Sequence, residues 1–236
     1  MTYLWDTSHI KPLLQVVVPG DTIPAMFWNA VQARGPNVWM RQKEFGIWRT
    51  WTWDQTATAV REIAHGLMAL GFAPKETASI LSNTTIEWVL CDLAVLSAGG
   101  VANGIYPTDA AEQVQYLCED SRTTVLFVED DEQLDKALEV RNHLPLLRKI
   151  IVADMEGLRE LNDPGVMSLD ALRELGREHL KAHPDMVAQR VQGIRPDKGG
   201  IHDAIVGALP YVLIMIAFTI LLMLVPGIAT WLPGKM

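Results

Sequence analysis

Between Thr52 and Ala153 the chain alternates two kinds of apolar pattern. Short continuous apolar runs occur at Ala78–Leu81, Val101–Ile105, Thr123–Val128 and Lys149–Val152. Between them lie segments whose apolar residues recur at helical spacing, such as Trp88, Cys91, Leu93, Val95 and Leu96, or Leu134, Leu138 and Val140. Continuous runs predict strands buried on both faces, and amphipathic segments between them predict the helices that bury those faces. The core of the pattern is Ala78–Thr108, which reads as strand, helix, strand, with Ser82-Asn83-Thr84 as turn and cap and Gly99-Gly100 as the stop. Two strands joined by such a helix lie parallel and adjacent. The class predicted is α/β: a partial doubly wound parallel sheet with flanking helices.

The flanks follow the same rules. A helix is predicted from Pro24 to Ala33 after an aromatic, proline-punctuated arm, and Val38–Trp53 alternates like a β-hairpin turning near Phe45-Gly46. Thr52-Trp53-Asp54-Gln55 matches a capping box opening a helix with Val60, Ile63, Ala64, Leu67 and Met68 on one face, ending at Gly71. Ala111–Glu119 and Asp131–Asn142 predict two further helices, and Ser168–Ala182 another, through Leu169, Leu172, Leu175 and Leu180. Gly193–Gly200 reads as a polar linker.

Charge then divides the chain. From Ala204 to Gly234 there is no Asp, Glu, Lys or Arg, and Ala204–Val225 supplies the ~20 apolar residues that a helix needs to cross a ~30 Å hydrocarbon layer. The organisation expected is a soluble region over residues 1–197, a linker at 198–203 and one transmembrane helix within 204–236. Arg190, Arg195 and Lys198 precede the apolar run and only Lys235 follows it, which places the soluble region in the cytoplasm at the inner membrane. Met1–Gln15 shows no secretory signal, in keeping with that side. The net charge of -8, without clustered Lys or Arg, argues against nucleic acid as a partner. Cys91 and Cys118 sit apart in apolar helical contexts and read as buried free thiols of a reduced compartment.

Candidate chemistry is sparse. His179 and His183 stand i, i+4 as zinc ligands do, but neither a base between them nor a third ligand is evident, and a solvated helix end is the simpler reading. Glu129-Asp130-Asp131-Glu132 follows a strand and could hold a hard cation, yet acidic residues are favoured at a helix N-terminus by the helix dipole alone. Gly99, Gly100 and Gly104 lie between helix and strand rather than strand and helix, so they read as packing and turn glycines. No nucleophile elbow, lysine-bearing phosphate loop or metalloprotease signature occurs. No catalytic, cofactor-binding or metal-ligating residue is assigned.

Several ordered motifs together carry a resemblance. Gly46-Ile-Trp48-Arg-Thr-Trp-Thr52-Trp, Ala78-Ser-Ile-Leu-Ser-Asn83 with Glu87-Trp88, Ala98-Gly99-Gly-Val, Gly104-Ile-Tyr-Pro-Thr108 and Leu126-Phe-Val-Glu-Asp130 resemble the opening of bacterial long-chain acyl-CoA synthetases, AMP-forming adenylating enzymes. The resemblance spans about residues 22–197. It implies a fold that, in the whole enzyme, uses ATP and Mg2+ to make an acyl adenylate and then passes the acyl group to coenzyme A. Where that family continues into a Ser/Thr/Gly-rich phosphate loop ending in Pro-Lys-Gly, this sequence has Lys198-Gly-Gly-Ile-His202 and then the apolar run. The ribose-binding Asp and catalytic Lys of the family also have no counterpart, so no cofactor is expected for this chain alone. A proline common near the start of the central helix is replaced around Thr84-Thr85-Ile86, which should still form the helix.

The tail resembles something else. His202-Asp203, Leu209-Pro210-Tyr211 and Pro226-Gly-Ile-Ala-Thr-Trp-Leu-Pro233 are similar to the last transmembrane helix of the large permease subunit of tripartite ATP-independent periplasmic (TRAP) transporters. The functional expectation is a truncated fatty acid–CoA ligase not competent alone. The alternatives are a membrane-anchored, non-catalytic partner of a full-length synthetase, through a dimer surface, or a fragment of a transport permease.

Overall fold

A computed structural model describes residues 20–44, 46–158 and 160–195, which fall in one unit. The chain opens with α1 (Ile23–Arg34), a hairpin of β1 (Val38–Glu44) and β2 (Ile47–Thr52), and α2 (Trp53–Ala69). It continues with β3 (Thr77–Leu81), α3 (Ile86–Ser97), β4 (Val101–Ile105), α4 (Ala111–Asp120), β5 (Thr123–Val128) and α5 (Asp131–Val140). A 3-10 turn at Arg141–His143 leads to β6 (Lys149–Val152), β7 (Val166–Ser168), α6 (Leu169–Ala182) and α7 (Met186–Gly193).

The predicted elements form for the predicted reasons. The Thr52 hydroxyl accepts from Gln55 N–H at 3.1 Å and the Gln55 side chain accepts from Thr52 N–H at 2.9 Å, closing the capping box of α2. Gly71 and Gly99 stop their helices with φ of 80° and 82°, the left-handed region where a Cβ is penalised. The cap of α3 is Thr85, not the Ser82-Asn83-Thr84 turn expected, because the Thr85 hydroxyl is the one that reaches Trp88 N–H. Ile86 begins that helix without a proline.

Two elements escape the sequence pattern. The strand β7 has three residues, too few to show a period, and is recruited by Ile150, Ile151 and Val152 pairing in register with Val166, Met167 and Ser168. The Asp163 carboxylate pins its approach by accepting from Arg141 and from Gly165 N–H. The second, α7, fits eight residues between Pro184 and the linker and buries Val187.

The sheet runs β4-β3-β5-β6-β7, parallel throughout, and the hairpin is a separate two-stranded ribbon. Ala78, Ile80, Val125, Phe127 and Ile151 face one core with α1, α2, α3, α6 and α7; Leu81, Leu126, Val128, Ile150 and Val152 face a second with α4 and α5. Alternate residues of one strand thus feed opposite cores, which is why the strands read as unbroken apolar runs. Exposed apolar side chains remain at the hairpin and along the open β4 edge, including Val101 and Tyr106. Among the described residues no helix is long and apolar enough to cross a membrane, and the span expected at Ala204–Val225 lies outside them.

Candidate functional site

After β3 the chain crosses to β4 on one side through α3, and after β5 it moves to β6 on the other side through α5. Because α3 and α5 lie on opposite faces, the loops after β3 and β5 part, and their carboxyl ends border the crevice where open α/β sheets place ligands. A small cleft opens there among Ser82, Glu87, Trp88, Cys91, Ala153 and Leu169.

The side chains at the switch point are occupied with one another. Glu129, directly after β5, accepts from Asn83 N–H at 2.7 Å, from Asn83 Nδ2 at 2.9 Å and from Ser82 Oγ at 3.3 Å. Its backbone N–H donates to Leu81 O, and its carbonyl accepts from Asp154 N–H at 2.7 Å. One residue therefore laces the ends of three strands together. Asp130 caps α5 by accepting from Gln133 N–H, and Asp131 and Glu132 fill the first turn. The acidic tetrad is a strand-to-helix lock, as the dipole argument predicts. Among the described residues no group of three or more His, Cys, Asp or Glu is placed to hold a metal ion.

The described groups at this crevice do not form a phosphate cradle. Phosphate sites at helix N-termini need free N–H groups and a glycine-rich approach. Here Thr85 and Asp130 each accept one N–H, from Trp88 and Gln133, Ile86 N–H donates to Gln42 and Glu132 N–H to Asp131, and Glu87, Asp131 and Glu132 place negative charge at the two helix starts. Gly100, as expected, is a packing glycine, since a Cβ would meet the Phe72 ring. Cys91 and Cys118 are buried free thiols. Burial pushes the Cys91 thiol up, reinforced by Glu87 and Asp92, the opposite of what a nucleophile requires.

His183 is the exposed C-cap of α6, as the helix-end reading has it, but His179 is half-buried and turned to a neighbouring helix. His179 on α6 meets His65 on α2, with their Nδ1 atoms 2.9 Å apart, and the His179 ring lies 4.7 Å from that of His183. His65 is fully buried and its Nε2 has no partner. Burial lowers its pKa from 6.5 to about 4, helped by His179, Arg61 and His183. One Nδ1 must donate and the other accept, so the accepting ring is neutral, and burial disfavours the charged form of both His65 and His179. The sequence pattern gave His65 no notice, for it stands alone in an apolar helix face. Beside it, Gly66 and Gly176 let α2 and α6 touch backbone to backbone, and Glu62, buried, accepts from Arg173 at 2.8 Å and Arg177 at 3.2 Å. The cluster clamps two helices rather than offering a reactive group to solvent.

Comparison with known proteins agrees with this architecture. A family model described as AMP-binding enzyme matches residues 27–189. The long-chain-fatty-acid–CoA ligase ACSBG2 of Rattus norvegicus is 33% identical over 170 residues, covering 72% of this chain and 25% of its own. FadD15 of Mycobacterium bovis, another long-chain-fatty-acid–CoA ligase, is 34% identical over 131 residues, with coverage of 56% and 20%. Among solved structures, the A-PCP didomain of carboxylic acid reductase from Segniliparus rugosus superposes with a TM-score of 0.58 at 16% identity, covering 72% of this chain and 30% of that one. Coronafacic acid ligase from Pectobacterium brasiliense does so with a TM-score of 0.55 at 16% identity, with coverage of 63% and 28%. The sequence spans a fifth to a quarter of the length of the curated relatives it matches. A parallel sheet with this switch point, matched by the family model over most of its described length, shows that the chain belongs to the AMP-binding enzyme family and is homologous to a fragment of the long-chain-fatty-acid–CoA ligases.

Proposed function

We propose that this polypeptide is a scaffold portion of a fatty acid–CoA ligase and does not by itself activate a fatty acid. The observation that carries this is the switch-point crevice, where the Glu129 carboxylate is spent on Ser82 and Asn83 and both flanking helix N-termini are capped and acidic. Adenylation needs donors and a cation around a pentacovalent phosphorus, and losing these removes transition-state stabilisation as well as affinity. The purified chain with ATP, Mg2+, coenzyme A and a C16 fatty acid should release no acyl-CoA above background. Acyl-CoA formation in that assay refutes the proposal.

The charge-free stretch Ala204–Val225 supports a single bilayer span, and the resemblance of its flanks to a TRAP permease helix supports a tail of that origin. On this reading the folded region stands on the cytoplasmic side of the inner membrane. Membrane extraction checks it: the chain should resist alkaline carbonate and lose that resistance when 204–225 is deleted. A second reading, a docking partner for a full-length synthetase or a second copy, is favoured by the open β4 edge with exposed Val101 and Tyr106. Absence of co-purification with a full-length synthetase at micromolar concentration excludes it.

A further inference from the structure

The hairpin is held firmly at its base and left open at its tip. Trp39 stacks on Trp53 with ring centroids 4.3 Å apart, and Phe27 packs against both. On the inward face Met40 and Trp51 pack on the core, and Gln42 accepts from Ile86 N–H at 3.0 Å. The register pairs Lys43 with Trp48 and Arg41 with Thr50, so these four share the outward face, and all four are exposed. Trp48 is 64% exposed and Ile47, at the tip, 70%. The ribbon thus presents a tryptophan directly across from a lysine and diagonal to an arginine.

Ile47 pairs with Glu44 and so projects from the other face of the tip than Trp48; exposed apolar side chains on both faces of one tip mark an interaction surface, and the charge chooses the occupant. Residues 38–52 carry Arg41, Lys43 and Arg49 against Glu44, a net of +2 in a chain of net -8. A basic, apolar projection of an acidic protein suits an acidic surface. Tryptophan favours the headgroup level of a bilayer, where its ring is partly buried and its N–H stays wet, and cations beside it are drawn to anionic lipid. We infer that the tip of this hairpin, Trp48 with Lys43 and Arg41 beside it on one face and Ile47 on the other, docks onto an anionic phospholipid surface. The choice of a bilayer over an acidic protein rests on the membrane reading of Ala204–Val225.

The test separates the two. The full chain carrying Ile47→Cys is spin-labelled, which buried Cys91 and Cys118 permit, and is placed in nanodiscs with and without phosphatidylglycerol; Glu112→Cys on the exposed side of α4 serves as control. The label at 47, and not at 112, should become more accessible to oxygen than to a water-soluble nickel chelate when phosphatidylglycerol is present. Joint Arg41→Glu and Lys43→Glu should reverse that shift and weaken sedimentation with phosphatidylglycerol vesicles at least fivefold. A label at 47 that stays water-exposed overturns the inference, as does dipolar broadening between labels, which would assign the tip to a second copy. If the chain fails to enter nanodiscs at all, the membrane-span reading falls, and the vesicle assay still decides: charge-sensitive binding upholds the hairpin site, and no binding removes it.

Discussion

Acidification should loosen the α2–α6 clamp chiefly through His65, with His179, whose pKa burial and His183 also lower, adding to the effect. His65 titrates near 6.5 when unfolded and at about 4 in the fold, because burial and the facing His179 disfavour its charged form. A depressed histidine pKa means that the unfolded chain takes up the proton first, so stability is unaffected well above pH 6.5, declines as pH falls through the interval, and levels off below about 4. A gap of this size corresponds to a ceiling of about 3 kcal/mol, of which about 2 kcal/mol is already lost at pH 5. A protonated His65 carries N–H on both ring nitrogens, and the one at Nε2 has no acceptor, so charging the ring disfavours the closed helix pair. Urea unfolding of the full chain at pH 7.5 and pH 5, followed by circular dichroism, measures the change. His65→Leu removes the titrating ring, and its loss over the same interval should be smaller than the parent's by about 2 kcal/mol. Equal losses in the two proteins would show that the buried ring is not the sensor.

Two substitutions probe the packing and the switch point. In a free helix Gly176→Ala would add about 1 kcal/mol of stability, but here its Cβ would come within 2.8 Å of the Glu62 carbonyl carbon and the Gly66 nitrogen, so a net loss of about 3 kcal/mol is expected by urea unfolding, and any gain refutes the close contact. Glu129→Ala removes the acceptor of three hydrogen bonds, so it should cost about 1 to 3 kcal/mol and speed amide exchange at Asn83 more than tenfold; unchanged exchange would show that the lock is not made.

The α/β class, the capping box at Thr52, the hairpin turn near Gly46 and the order of strands and helices from Thr77 to Val152 were legible in the sequence, because each is set by local periodicity, caps and glycines. The resemblance to acyl-CoA synthetases was legible too, since short ordered motifs survive where the backbone must turn or pack closely. Three things were decided only by tertiary structure. Strand order β4-β3-β5-β6-β7 comes from which edges meet, and with it the switch point that brings Glu129 to Ser82 and Asn83 from forty-six residues away in the case of Asn83. The strand β7 exists only because β6 offers it an edge. The environment of His65 depends on a helix more than a hundred residues later, which sets whether that ring is a ligand, a wet surface group or, as found, a neutral link buried between two helices. Local pattern fixes what each segment becomes; the charge state of a side chain depends on what the rest of the chain packs against it.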